Sequence, residues 1–160
     1  MKILGIDPGY DRMGIAIIEK DSHNKDLLVF STCIQTSVKQ DFADRLQEIG
    51  NELGKILKKY KPDEAAIEEL YFAKNTTTAM KVAEARGVIR YVTREAGIPV
   101  FEYHPNAIKI AVTGYGAAKK TDIAFMVPKL IALGADKKID DELDAIAVAI
   151  THGAQRRSLK

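Results

Sequence analysis

The segment that most constrains the fold is residues 2–7, Lys-Ile-Leu-Gly-Ile-Asp, followed directly by Pro8-Gly9. A short apolar run of this kind reads as a strand, and Pro8 with Gly9 supplies the fixed φ and then the positive φ of a tight turn. Residues 13–19 return as a second strand, the polar stretch Asp21-Ser22-His23-Asn24 breaks the chain, and residues 27–35 give a third. The opening of the chain is therefore predicted to be an antiparallel meander.

Alternating helices and strands follow. From Asp41, in an N-cap position, the apolar residues Phe42, Leu46, Ile49, Leu53, Ile56 and Leu57 recur at helical spacing as far as Tyr60. Lys61-Pro62-Asp63 ends that helix, and residues 65–70 read as a buried parallel strand that arrives at Glu68 and Glu69. Asn75-Thr76-Thr77-Thr78 offers caps for a long helix to about Ala96, closed by Gly97 and Pro99. A strand over 98–103, a short helix over 106–112, a helix over 119–133 and a last helix from Asp140 or Asp141 complete the pattern. Pro128 lies inside the third of these later elements and is predicted to kink it. The resulting fold class is α/β: a mixed five-stranded sheet, three antiparallel strands and then parallel ones, with helices on both faces. At 160 residues, with no repeat, low-complexity tract or linker, a single domain over 1–160 is expected.

Composition narrows the chemistry. Hydrophobic residues make up 46% and charged residues 29%, which suits a protein with a continuous core. Cys33 stands alone, and His23, His104 and His152 are scattered singly, so neither a disulfide nor a zinc spacing is present. The first apolar run is interrupted by Asp7, and the longest late one, 143–150, is far short of the ~20 residues of a spanning helix. A cytoplasmic location, with no membrane partner, is the expectation.

The candidate site lies among acids that a core would not choose. Asp7 ends one apolar strand and Glu68 another; since strand faces alternate, at most one of Glu68 and Glu69 points into a given site. Asp141 and Asp144 are three apart on the last helix, hence on one face, with Leu143, Ile146, Ala147 and Ile150 as its buried stripe. Each acid has a plainer reading. Asp before Pro-Gly is a common turn former, and Asp140, Asp141 and Glu142 suit the positive end of a helix dipole. Asp144 fits that reading less well, because it interrupts an apolar run and a partly buried carboxylate needs a partner. Taken together, acids from two strands and a helix suit hard divalent cations, and a pair of such ions serves phosphodiester hydrolysis without a histidine or cysteine nucleophile.

Several segments, in order along nearly the whole chain, carry a family resemblance: Ile3-Leu-Gly-Ile-Asp7-Pro-Gly, Ala66-Ile-Glu68 with Ala73-Lys-Asn75, Ala85-Arg-Gly87, Val100-Phe-Glu-Tyr103, Gly114-Tyr-Gly116, and Asp144-Ala-Ile-Ala-Val-Ala-Ile-Thr-His152. The sequence resembles the RuvC Holliday junction resolvases, bacterial crossover junction endodeoxyribonucleases of the ribonuclease H-like superfamily. The resemblance implies that Asp7, Glu68, Asp141 and Asp144 are the catalytic metal ligands, with two Mg²⁺ per site and Mn²⁺ as a substitute, and that Glu69 is a bystander. Some relatives carry histidine where Asp141 stands. Tyr71 matches an aromatic residue that stacks on unpaired bases at the junction centre, and Lys109, Lys119 and Lys120 match basic positions near the scissile phosphate and DNA backbone. Taken alone, Tyr71 reads as a loop tyrosine and the lysines as solvated surface. Also implied are a homodimer built on the long helix near 76–96, four-way junction DNA as substrate, paired symmetric nicks in recombination and repair, and RuvA and RuvB as partners.

Rival readings are a related nuclease acting on RNA precursors (YqgF-like), for which the Ala85-Arg-Gly87 and Gly114-Tyr-Gly116 segments are less expected, and a non-catalytic junction-binding protein, against which all four acids argue. An actin-like or Hsp70-like ATP-binding protein lacks room for its two lobes. The charge balance is consistent with a nuclease: 24 Lys and Arg meet 22 Asp and Glu, and setting four acids aside as metal ligands leaves 24 against 18, a basic surface around an acidic pocket.

Overall fold

A computed structural model describes residues 1–21, 25–70 and 76–158. Its elements are β1 (Lys2–Asp7), β2 (Arg12–Lys20), β3 (Asp26–Gln35), α1 (Phe42–Tyr60), β4 (Glu64–Glu68), α2 (Thr76–Glu95), β5 (Val100–Tyr103), α3 (Pro105–Thr113), α4 (Lys120–Leu130) and α5 (Asp140–Ser158). The sheet runs β3-β2-β1-β4-β5. β1 pairs antiparallel with β2, and β2 with β3, whereas β4 lies parallel to both β1 and β5. The meander and the parallel half are thus as the residue pattern predicts.

Alternation along β1 and β4 divides the core in two. Leu4, Ile6, Ala65 and Ile67 face α1 and α2, packing with Ile49, Leu53 and Ile89. Ile3 and Ala66 face the opposite side, against α3, α4 and the length of α5. Both faces of a parallel-centred sheet are therefore covered, which is why β1 carries so few polar positions before Asp7.

Asp41 takes the N-cap position of α1 as expected, without a side-chain cap bond. Three other local expectations need correction. β4 starts at Glu64 and ends at Glu68, not 70. α4 stops at Leu130 rather than 133: Pro128 has no N–H to return to the preceding turn, and the helix ends two residues later on an extended Ile131. Finally, α5 is more than a striped helix. From Ala145 to Gly153 every residue is buried, because α3 and α4 cover the side turned away from the sheet.

Two glycines set how closely α5 lies on that sheet. A Cβ at Gly5 would overlap the carbonyl oxygen of Ala145, and one at Gly14 that of Asp141. Gly14 is the register partner of Asp7, so the close approach brings the first turn of α5 over the end of β1.

Candidate active site

The register of β1 and β4 sets Ile6 beside Ile67, so Asp7 and Glu68, one step further on, stand side by side at the same strand end. Period-two alternation turns both toward α5, on the face shared by Gly5 and Ala66. α5 brings Asp141 and Asp144 from its first turns. Glu69 lies past the strand, its amide donating to the Tyr103 carbonyl at 2.8 Å.

The electrostatics follow from this gathering. Burial and the charges of Asp144, Glu68 and Asp141 push the Asp7 carboxyl up to about 7, against a partial offset from Lys120. Burial first, and then Asp144, raise Glu68 as well, while Lys120, Lys109 and Arg86 pull it the other way. Crowded, partly desolvated carboxylates resist ionising together.

Two cations relieve the crowding. Lys120 Nζ lies 2.8 Å from Asp144 Oδ2, with the lysine 78% exposed and the aspartate 14%. Arg12, at the start of β2, pairs its guanidinium with Asp141 and also reaches Cys33. The sequence reading missed Arg12; its one signal was a basic residue opening the strand in which Gly14, two residues on, pairs with Asp7.

Asp7, Glu68, Asp141, Asp144 and Lys120 meet at one end of the sheet, and Lys109 on α3 is near enough to act on Glu68. Lys119 takes the exposed N-cap position of α4, its amide held by Asp122 at 2.7 Å. Tyr71 and the Ala73-Lys-Asn75 segment lie outside the described residues. Among the described residues no three His, Cys, Asp or Glu side chains converge into a ready ligand shell. The donor set nevertheless fits a hard cation: it is all carboxylate oxygen, it is short of positive charge, and an ammonium and a guanidinium already sit against two of its members.

A sheet of three antiparallel and two parallel strands, with carboxylates from its first strand, fourth strand and last helix, defines a ribonuclease H-like nuclease. The chain matches the model of the family crossover junction endodeoxyribonuclease RuvC over residues 3–152, and it belongs to that family. It is 45% identical over 160 residues to the crossover junction endodeoxyribonuclease RuvC of Petrotoga mobilis, covering 100% of this chain and 98% of that one. The solved Thermus thermophilus RuvC structure superposes with a TM-score of 0.88 at 31% identity, over 99% of this chain and 96% of that chain. The same enzyme in complex with a Holliday junction substrate also gives 0.88, at 28% identity and the same coverage. Family membership makes this a Holliday junction endonuclease of DNA recombination, in a family of metal-dependent nucleases, and sets aside the RNA-precursor and binding-only readings. No helix among the described residues is long and apolar enough to cross a membrane.

Proposed function

We propose that the chain acts as one nuclease domain over residues 1–160, in a homodimer, and makes paired symmetric nicks in a four-way DNA junction. Asp7, Glu68, Asp141 and Asp144 are the residues that hold Mg²⁺, two ions per site, with Mn²⁺ as a substitute. Divalent ions bound there supply Lewis acidity and an activated water for phosphodiester hydrolysis. The observation that carries this reading is the convergence of four acids at one end of the sheet: Asp7 and Glu68 close neighbouring parallel strands, the first turns of α5 bring Asp141 and Asp144 over them, and burial with the other three carboxylates pushes the Asp7 carboxyl up to about 7. A site that makes its own acids repel one another is organised for a cation.

The surrounding residues have their own tasks. Lys120 neutralises Asp144 in the free enzyme and, once that charge is otherwise met, its largely exposed ammonium turns to a DNA phosphate. Lys109 and Lys119 extend the same basic rim and position the backbone without reading sequence. Tyr71 stacks on an unpaired base at the junction centre. α2 forms the dimer seam, supported by the exposed Met80 and Tyr91, each 66% accessible in the lone chain; two like protomers suit two like cuts. The enzyme works in the cytoplasm with RuvA and RuvB.

Labelled four-way junction, linear duplex and RNA hairpin, each incubated with Mg²⁺ or EDTA and beside Asp7→Asn, test the reading. Mg²⁺-dependent nicking of the junction alone, absent in Asp7→Asn, is the expected result. Cutting of the RNA hairpin and not the junction would overturn it, and so would binding without cutting. A strictly monomeric mass by light scattering at micromolar protein would remove the dimer.

A further inference from the structure

A second cluster of ionisable groups lies at the opposite end of β4. Glu64 opens the strand that Glu68 closes, and alternation turns both, with Ala66 between them, toward α5. His152 Nε2 lies 2.7 Å from Glu64 Oε2, and Arg156 adds Nε at 3.0 Å and a second contact from Nη2. Tyr103 on β5 completes the chain, its hydroxyl 2.7 Å from His152 Nδ1. His152 is wholly buried, under the ring of Phe101 at a centroid distance of 4.8 Å.

The proton positions are mutually consistent. Arg156 first, and then His152, hold the Glu64 carboxyl below its usual range, so it is an acceptor only. Nε2 of His152 therefore carries the hydrogen and donates it. Burial lowers the His152 imidazole below its usual range, which favours the neutral ring, and in that ring Nδ1 accepts from the Tyr103 hydroxyl. Both carboxylate oxygens of Glu64, both ring nitrogens of His152 and the Tyr103 hydroxyl are paired within the cluster, and Arg156 is its partly exposed member.

What the cluster does follows from the interface between the two ends. Among the closest approaches of α5 to the sheet are Ala145 and Ala149 against Gly5, and Asp141 and Ala145 against Gly14. Small residues permit close approach and offer few knobs to stop a helix sliding along its axis. At the near end the acids repel, and the ties there are single ones: Lys120 to Asp144, Arg12 to Asp141, and Ser31 Oγ donating to Glu142 at 2.6 Å. At the far end the ties are multiple: those of His152 to Glu64 and Tyr103 are buried, and Arg156 adds part-buried contacts to Glu64. Asp144 to His152 spans about 12 Å of helix, and Glu64 to Glu68 about 13 Å of strand, so a clamp joining His152 to Glu64 sets where Asp144 meets Glu68.

We propose that the Tyr103–His152–Glu64–Arg156 chain is a positioning device that fixes the axial register of α5 on β4 and holds the four acids together against their own repulsion. It rests on the reading that those acids bind divalent metal. Misplacement of reacting groups by as little as 1 Å costs on the order of 100-fold in rate, so a partial loosening is expected to cost about tenfold.

Glu64→Gln and Tyr103→Phe in the full-length protein test it; the second removes one hydroxyl with no change of fold expected. Four quantities are measured for each: Mn²⁺ affinity without DNA, kcat on the junction, junction Kd in EDTA, and hydrogen exchange at the amides of 141–147. Glu64→Gln is expected to weaken Mn²⁺ binding and lower kcat about tenfold while leaving the EDTA Kd within about twofold; Tyr103→Phe moves the same quantities less. Exchange at 141–147 rises in the metal-free variants and returns toward the parent in Glu64→Gln/Asp7→Asn, where the repulsion is relieved. Unchanged Mn²⁺ affinity and kcat with only a lower melting temperature would overturn the clamp, as would additive exchange effects in the double variant. A parent protein that binds no Mn²⁺ would sink the metal reading instead, and the exchange coupling between Glu64 and Asp7 would then decide the clamp alone.

Discussion

The two ends of β4 present the same residue type in opposite circumstances. Glu64 meets a guanidinium and an imidazole N–H, and its carboxyl is held low. Glu68 stands beside Asp7, and burial first, then the charge of Asp144, push its carboxyl up. Both face α5, four residues apart on one strand. Burial alone therefore does not mark a functional acid; an unmet demand for positive charge does. The fold satisfies the end that holds it together and leaves unsatisfied the end that works.

The largest test of that contrast is charge removal at the working end. Asp7→Asn, Glu68→Gln and Asp144→Asn should each lower junction cleavage by at least ~100-fold, read as initial nicking rates, with junction binding in EDTA retained. The same Asp7→Asn should make the metal-free protein more stable. A carboxyl raised from 3.8 to about 7 binds more protons folded than unfolded across that window. Stability of the parent accordingly falls as pH climbs from about 4 to about 7, by at most ~4 kcal/mol before solvent screening is allowed for, and the asparagine variant loses that slope. Urea denaturation in EDTA across this range measures it; parallel pH profiles for the two proteins would show that the acids do not repel.

Glu64→Gln should have the opposite sign. A carboxyl whose folded pKa is depressed stabilises the fold above its unfolded pKa and loses that contribution as pH falls through the folded value. At neutral pH the variant should be less stable by roughly 1–3 kcal/mol, with Arg156 left unpaired. Thermal melts of Asp7→Asn and Glu64→Gln side by side would break the contrast if both shifted in one direction.

Gly14→Ala tests the packing that brings the regions into line. Its Cβ would press on the backbone carbonyl of Asp141, which cannot rotate away as a side chain does. Overpacking of this kind costs about 1–3 kcal/mol, and nicking should fall further than stability explains, because the displaced turn carries Asp141 itself.

How legible these ends were in the sequence differs for a physical reason. Asp7, Glu68 and Asp144 stand out because each interrupts or ends an apolar run, and burying a carboxylate is costly enough that its presence there needs a cause. Glu64 gives no such signal. It follows Pro62-Asp63 and reads as the polar end of a loop, and its partners His152 and Arg156 lie on an element 88 or more residues away. The all-round burial of α5 was hidden likewise. Asp144-Ala-Ile-Ala-Val-Ala-Ile shows the stripe that meets the sheet, but alanine is equally at home exposed, and only α3 and α4 folding back determine that it is not. Tyr71 stays a matter of sequence, since it lies outside the described residues. The antiparallel meander and the parallel strands after it, by contrast, were readable from local turns and from which strands are separated by helices.

The smallest effect is expected at Arg12, and it probes how the working end is balanced while no metal is bound. Arg12 is 50% exposed, and its partner Asp141 21%. A pair this open adds little to stability, so Arg12→Ala should barely move the melt. Its effect on metal is different in sign. With Asp141 as a metal ligand, as proposed above, Arg12 would compete with a divalent ion for that carboxylate, and removing it should lower the Mg²⁺ concentration for half-maximal nicking roughly two- to fivefold. Lys120→Ala would free Asp144 in the same way but also remove a phosphate contact, so it should improve metal binding while worsening junction turnover. Titrating Mn²⁺ against both variants without DNA separates the two roles: equal gains in Mn²⁺ affinity with loss of turnover only for Lys120→Ala fit a guanidinium that guards the site and an ammonium that also serves the substrate.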